Sequence, residues 1–233
     1  KNVEIGSGTW IGSNVTIMEG ARIGENCEIF PGAVISAIPQ DLKFEGEESL
    51  AIIGDNTIIR ECATINRATK ATGKTIVGKN CLIMAYAHIA HDCVIGNNAI
   101  VVNNVAMGGH VEIGEHAIIG GLTAVHQFIK IGKHCMVSGG SLVRKDIPPY
   151  VKAGREPLSF IGINSIGLRR KKFSESEITE IQDIYRILYQ KGNNNTQAIN
   201  KIEIDFKISE IRDEIISFVR DSGRGIMKGY NQK

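Results

Sequence analysis

Six histidines, His88, His91, His110, His116, His126 and His134, all lie between residues 88 and 134. An imidazole with a pKa near 6.5 can take up a proton and return it at neutral pH. Several pairs recur at a spacing of eighteen: His91 with Gly109, Asp92 with His110, Gly108 with His126, and His116 with His134. If eighteen residues make one turn of a coil, His91 stacks beside a bare glycine backbone about 5 Å away. A general base next to an exposed N–H is what acyl transfer needs. The base deprotonates the nucleophile and the N–H holds the developing oxyanion. The His116–His134 pair reads as a surface ladder with a structural role. Zinc needs three or four convergent ligands. The spacing offers no close-set trio on one face, so no metal is expected.

The elements that must hold these residues are written in a six-residue beat. Aliphatic residues recur at Ile5, Ile11, Ile17, Ile23, Ile29 and Ile35, return in phase at Ile53, Ile59 and Ile65, and run unbroken from Val77 to Val143. Helical periodicity gives 3.6 and ordinary strand alternation gives two, so neither produces a strict six. Glycine often follows the aliphatic residue, as at Gly6, Gly54 and Gly96, and the fifth position is small or β-branched, as at Thr9, Ala33 and Ala99. Two inward slots per hexad, one large and one small, mark a parallel β-helix with three hexads to a triangular coil. Cys27, Cys81, Cys93 and Cys135 occupy the small slot and read as core fillers. No histidine falls on an inward slot.

The bulk numbers narrow the partners. The chain has 233 residues and a net charge of +2, which gives no bulk reason to bind nucleic acid. No apolar run reaches the length of a membrane span. The five cysteines form no CxxC pair, so zinc and redox motifs are unsupported, and the scatter fits a reducing compartment, the cytoplasm. Flat faces of such a coil usually pair with copies of themselves, so an oligomer is expected.

The beat predicts a β-helix over 1–149 with two excursion loops, 37–50 and 67–74, that leave the coil and rejoin it in phase. Loops on a rigid scaffold are where binding residues gather. A connector is expected over 150–172 and a small α-helical domain over 173–233. Ser174 and Glu177 form a capping-box pattern ahead of Ile178, Ile181, Ile184, Tyr185 and Leu188. Gly192 is expected to stop that helix, with further helices over 196–200 and 208–221. The first coil lacks an obvious cap and the chain begins at Lys1, so further residues are expected in front.

The run IAHDCVIGNNAIVVNNVAMGGHVEIGEHAIIGGLTAVHQF over 89–128 closely resembles the UDP-N-acetylglucosamine O-acyltransferases of lipid A synthesis, as do PQDLKFEGE over 39–47, IRECATINRAT over 59–69, DIPPYV over 146–151 and GINSIGLRRKKFS over 162–174. The resemblance runs from Val3 to the end and implies a left-handed coil, a homotrimer and no cofactor. It implies transfer of an (R)-3-hydroxyacyl chain from acyl carrier protein to the 3-hydroxyl of UDP-N-acetylglucosamine, the first step of lipid A synthesis. His91 matches the catalytic base, Asp92 its partner and Gly109 the oxyanion-holding amide. His88, His110, His126 and Gln127 match residues that bind or orient the sugar nucleotide. Asp41 and Lys43 match residues that reach its sugar and phosphates. Asn164, Arg170 and Lys171 match the nucleotide-binding segment and a basic surface suited to diphosphate and to an acidic carrier. Gly139 matches a slot that limits acyl chain length, where glycine leaves room for a long chain.

Three positions depart from the family pattern. Ile166 stands where relatives carry an acid, Lys171 where arginine is frequent, and Asn66 where others have histidine. Lysine cannot form the bidentate fork of arginine. The related N-acyltransferases of the pathway carry a different N-terminal domain, and the coenzyme A-dependent hexapeptide acetyltransferases usually lack this helical tail. A non-catalytic β-helix scaffold or a zinc anhydrase is the reading from another class, and metal analysis would separate it.

Overall fold

The computed structural model describes residues 2–189 and 193–229. Strands of two to four residues run from Glu4–Ile5 to Leu142–Val143 and stack into three parallel sheets, one strand from each coil in each sheet. The register is eighteen residues wherever the beat is unbroken: Val77 pairs with Ile95, Ile95 with Ile113 and Ile113 with Ile131. Across the two excursions Ala21 pairs with Ala51 and Leu82 with Ile58, so the loops insert twelve and six residues. Both insertions are whole hexads. The chain therefore rejoins the coil in the phase it left, and the inward residues stay inward.

Ile29, Ile35, Ile59, Ile65, Ile83 and Ile89 are fully buried in a column along the axis, with Cys27, Ala33, Ala63, Ala87 and Cys93 in the small slot beside it. Cys81 and Cys135 are buried too. Burial pushes the thiols of Cys93 and Cys135 up to about 12, so they stay protonated and inert.

The fourth position of the hexad turns each corner through a left-handed backbone conformation. Asparagine or glycine often fills it, as at Asn14, Asn26, Asn80, Asn98, Gly8 and Gly20, because these residues tolerate positive φ at little cost. Asp92 and His110 take the same conformation, which aspartate and histidine visit more readily than most residues, and Leu122 and Phe128 take it without that tolerance.

The last coil is closed by a strand at Val151–Gly154, which stacks on Met136–Val137 after only sixteen residues. It pairs antiparallel with Ser159–Ile163, and that strand pairs with Lys228–Gly229. The stretch 150–172 is therefore more than a connector: its two strands, with Lys228–Gly229, extend one sheet from seven strands to ten and bring the C-terminal segment back to the coil. Among the described residues four helices follow, α1 (Ser165–Arg170), α2 (Glu175–Leu188), α3 (Asn195–Asp205) and α4 (Glu210–Arg220). The Ser174–Glu177 capping box forms at the start of α2. Helix α3 outlasts the 196–200 expected from sequence because Ile199 and Ile202 bury against its neighbours. The expected stop at Gly192 lies outside the described residues. Tyr185 Oη donates to Pro149 O at 2.7 Å and Tyr150 bonds Glu214, which fixes the helices to the last coil. Among the described residues, no helix is long and apolar enough to cross a membrane.

Candidate active site

Three hexads per coil give three corners, and one corner gathers the chemistry. It carries His91 and Asp92, then Gly109 and His110 one coil on, then Gln127 and Phe128. Asp92, His110 and Phe128 all have φ between 60° and 64°, so their side chains leave the corner in one column. His110 stacks on Phe128 with ring centroids 4.5 Å apart and 9° between planes, and meets His91 edge-on at 5.3 Å.

His91 Nδ1 lies 2.7 Å from Asp92 Oδ2. The Asp92 carboxylate is fully buried and surrounded by donors from the second excursion loop. Thr69 donates its N–H at 3.2 Å and its hydroxyl at 2.8 Å, Thr72 donates its N–H at 3.2 Å, and the Thr72 hydroxyl also bonds Asp92. Burial pushes the Asp92 pKa up, but the hydrogen bonds from Thr72, His91 and Thr69 together outweigh it and hold the carboxyl below its ordinary range. An ionised carboxylate accepts only, so His91 Nδ1 carries the proton and Nε2 keeps its lone pair.

That lone pair faces Gly109. A Cβ placed on Gly109 would lie 2.4 Å from His91 Cε1 and 2.6 Å from Nε2, so no larger residue fits beside the ring as it stands. The Gly109 carbonyl accepts from Phe128 N at 3.0 Å. Among the described residues nothing accepts a hydrogen bond from the Gly109 N–H.

The first excursion loop overhangs this corner and closes a cavity of about 670 Å³ lined by Asp41, Lys43, Thr69, His91, His110 and Gln127 among others. Asn66 holds the root of that loop, donating from Nδ2 to Ile38 O at 2.7 Å. Within the loop, Asp41 accepts from Lys43 N at 3.0 Å.

The remaining sequence candidates are dispersed. His88 sits in the strand leading to His91, 2.7 Å from Thr64 Oγ1, and burial, together with the charge of His91, lowers its pKa. His126 is exposed, with Nδ1 3.1 Å from Gln127 O. Asn164 caps α1 and donates to His134 O at 2.9 Å, on a different corner. Arg170 and Lys171 are exposed at the end of α1, and the charge of Lys171 reaches His116 and His134. Those two histidines do form the expected ladder, 4.9 Å apart. Gly139 stacks over Gly121 on the third corner. One chain thus unites His91, Asp92, Gly109, His110, Gln127, Asp41 and Lys43, and leaves Asn164, Arg170, Lys171 and Gly139 elsewhere. Thr69, Thr72 and Phe128 were not legible as site residues, because the two threonines sit outside the periodic register.

The expectation that no close-set trio exists needs correction. His91, Asp92 and His110 bring their ligand atoms within 4.8 Å of one another, because the corner stacks them on adjacent coils. Both Asp92 oxygens already accept hydrogen bonds from Thr69, Thr72 and His91, an arrangement that orients an imidazole.

Comparison with known proteins adds family likeness to this geometry. Residues 146–227 match the model described as UDP-N-acetylglucosamine O-acyltransferase, domain 2, and residues 2–37 and 74–109 match bacterial transferase hexapeptide repeats. The chain is 56% identical over 202 residues to the acyl-acyl-carrier-protein–UDP-N-acetylglucosamine O-acyltransferase of Chlorobaculum parvum, covering 85% of this chain and 76% of that protein. It is 56% identical over 199 residues to the enzyme of the same name from Aquifex aeolicus, with the same coverage. The crystal structure of the UDP-N-acetylglucosamine acyltransferase from Bacteroides fragilis superposes with a TM-score of 0.94 at 46% identity, covering 97% of this chain and 96% of that one. The Francisella novicida enzyme superposes with a TM-score of 0.95 at 41% identity, covering 99% and 85%.

Proposed function

We propose, from the premise that this chain belongs to the acyl-acyl-carrier-protein–UDP-N-acetylglucosamine O-acyltransferase family, that His91 is its general base and the Gly109 amide its oxyanion donor. The chain is a left-handed β-helix acyltransferase that moves an acyl group from acyl carrier protein to UDP-N-acetylglucosamine in lipid A synthesis. The contact between His91 and Gly109, with Nδ1 bonded to buried Asp92, carries the mechanistic reading.

His91 Nε2 takes the proton of the sugar 3-hydroxyl as that oxygen attacks the thioester carbonyl. A C–O bond forms and the carbonyl oxygen becomes an oxyanion beside the Gly109 N–H. Collapse breaks the C–S bond, and the departing sulfur takes the proton from the imidazolium. Asp92 fixes the tautomer and stabilises the charged ring in between. Asp41, Lys43, His110 and Gln127 line the cavity over this point and are assigned to the sugar nucleotide. His88 and His126 orient it from the flanking positions.

Asn164, Arg170, Lys171 and Gly139 lie on other corners, which supports a homotrimer in which one copy's corner faces another's. Exposed Val94, Leu122, Phe128 and Leu142 on the corners and faces support the same packing. In that arrangement Arg170 and Lys171 hold the nucleotide or carrier, and Gly139 admits a long 3-hydroxyacyl chain. All five cysteines are free, which supports a reducing, cytoplasmic setting. The test is direct. Purified protein is given UDP-N-acetylglucosamine and a mixture of 3-hydroxyacyl carriers, and mass spectrometry reads the product and its chain length. Absence of any O-acylated sugar nucleotide would refute the reading.

A further inference from the structure

The catalytic corner continues past the residues used above. The next level of the same corner carries Lys145, between Val143, which keeps the eighteen-residue spacing to Val125, and Ile147, which bridges Ile131 at sixteen. Three coils separate Lys145 from His91, about 14 Å along the axis. Beside it, the C-terminal segment lays Arg224 across the end of the aromatic column, with its guanidinium carbon 5.9 Å from the Phe128 ring centre.

This placement is built. Asp146 is 1% exposed. It accepts from Lys130 N at 2.9 Å and Ser222 Oγ at 2.6 Å, and its carbonyl accepts from Met227 N at 2.9 Å. Gly225 turns with a φ of +70°, and Lys145 Nζ donates to the Arg224 carbonyl. Three hydrogen bonds, through Ser222, Met227 and the Arg224 carbonyl, thus tie the segment that carries Arg224 to the last coil. Among the described residues its guanidinium has no ion pair and no hydrogen bond. A positioned, half-buried arginine without an anion, next to a lysine, is a site made for phosphate.

We propose that Arg224 and Lys145 bind the phosphodiester of the acyl donor's phosphopantetheine arm. The inference rests on the acyl-transfer reading above and adds where the donor's phosphate sits. About thirteen bonds separate phosphorus from sulfur in that arm, and an extended chain covers roughly 3.3–3.6 Å per three bonds, which gives about 15 Å. That span matches the distance from Lys145 to His91. The sugar nucleotide is assigned to the cavity of Asp41, Lys43, His110 and Gln127, which stops one coil short of Lys145.

The experiment uses the full chain and two small donors with the same acyl group, acyl-phosphopantetheine and acyl-pantetheine, beside the acyl carrier protein. Arg224→Ala and Lys145→Ala should each lower the kcat/KM advantage of the phosphate-bearing donor about tenfold, as expected for loss of a charge-assisted hydrogen bond. With acyl carrier protein as donor, each should raise the donor KM by a similar factor, and Arg224→Lys should restore part of it. An unchanged donor KM, an unchanged ratio between the small donors, or a rise confined to the KM for UDP-N-acetylglucosamine would overturn the assignment. The last outcome would move the phosphate to the sugar nucleotide. Failure of the unaltered chain to transfer acyl groups from any donor would refute the acyl-transfer reading itself, a separate result.

Discussion

The imidazole of His91 and the backbone of Gly109 are packed so closely that the space between them excludes a single methyl group. Gly109→Ala would have to displace a ring whose Nδ1 is tied to Asp92. Its kcat should fall by about a hundredfold, the scale of losing one oxyanion donor or misplacing the base. Circular dichroism should stay that of the unaltered coil. Near-normal turnover by a folded Gly109→Ala protein would refute the geometry.

His91→Ala should lower kcat by roughly 10²–10⁴-fold, the range for a general base. Asp92→Asn should come close to it, because an amide in that place no longer enforces the tautomer that leaves Nε2 free. Steady-state rates with melting curves check both. Retained activity in His91→Ala would remove the base assignment.

The threonines of the second loop give a pH signature. Asp92 is held below its ordinary range mainly against burial, with Thr72 the largest of the bonds that lower it. Thr72→Val should raise its pKa, so activity should fail at a higher pH on the acid side. A depressed carboxyl contributes stability above its unfolded value near 3.9 and loses it as pH falls through the folded value. The variant should therefore melt lower than the unaltered protein at pH 7, and the two should converge as the pH falls through the lowered pKa of Asp92. An unshifted acid limb would deny Thr72 its role.

His134 gives the opposite case. Burial, with the charges of His116, Lys133 and Lys171, pushes its pKa down to about 4. Between the unfolded value near 6.5 and about 4, the unfolded chain binds the extra proton. Stability from this group is full above about pH 6.5 and falls as the pH drops to about 4. His134→Phe should flatten that slope while keeping the stack on Tyr150, and phenylalanine is already tolerated at the equivalent corner position of Phe128. Melting temperature against pH measures it.

Arg170→Ala and Lys171→Ala should raise a substrate KM more than they lower kcat, since both side chains are exposed and away from His91. Substrate titrations check this. An unchanged KM for both nucleotide and carrier would end their binding role.

The sequence by itself determined the coil, its core and the pairing of His91 with Gly109. A coil that spends a fixed eighteen residues per turn converts spacing along the chain into contact in space, and loops of twelve and six residues leave that conversion intact. The corner conformation was also written there, in the asparagines and glycines of the fourth slot, though the slot is recognised only once its positive φ is seen. Only the tertiary structure decided what surrounds His91. Thr69 and Thr72 reach Asp92 from an excursion loop, and Arg224 reaches Phe128 from the far end of the chain. Neither segment obeys the beat, so their positions follow from local packing and hydrogen bonding that no periodicity encodes. The same holds for the split between corners of the residues proposed to bind the nucleotide, which depends on how the helical tail folds back onto the last coil.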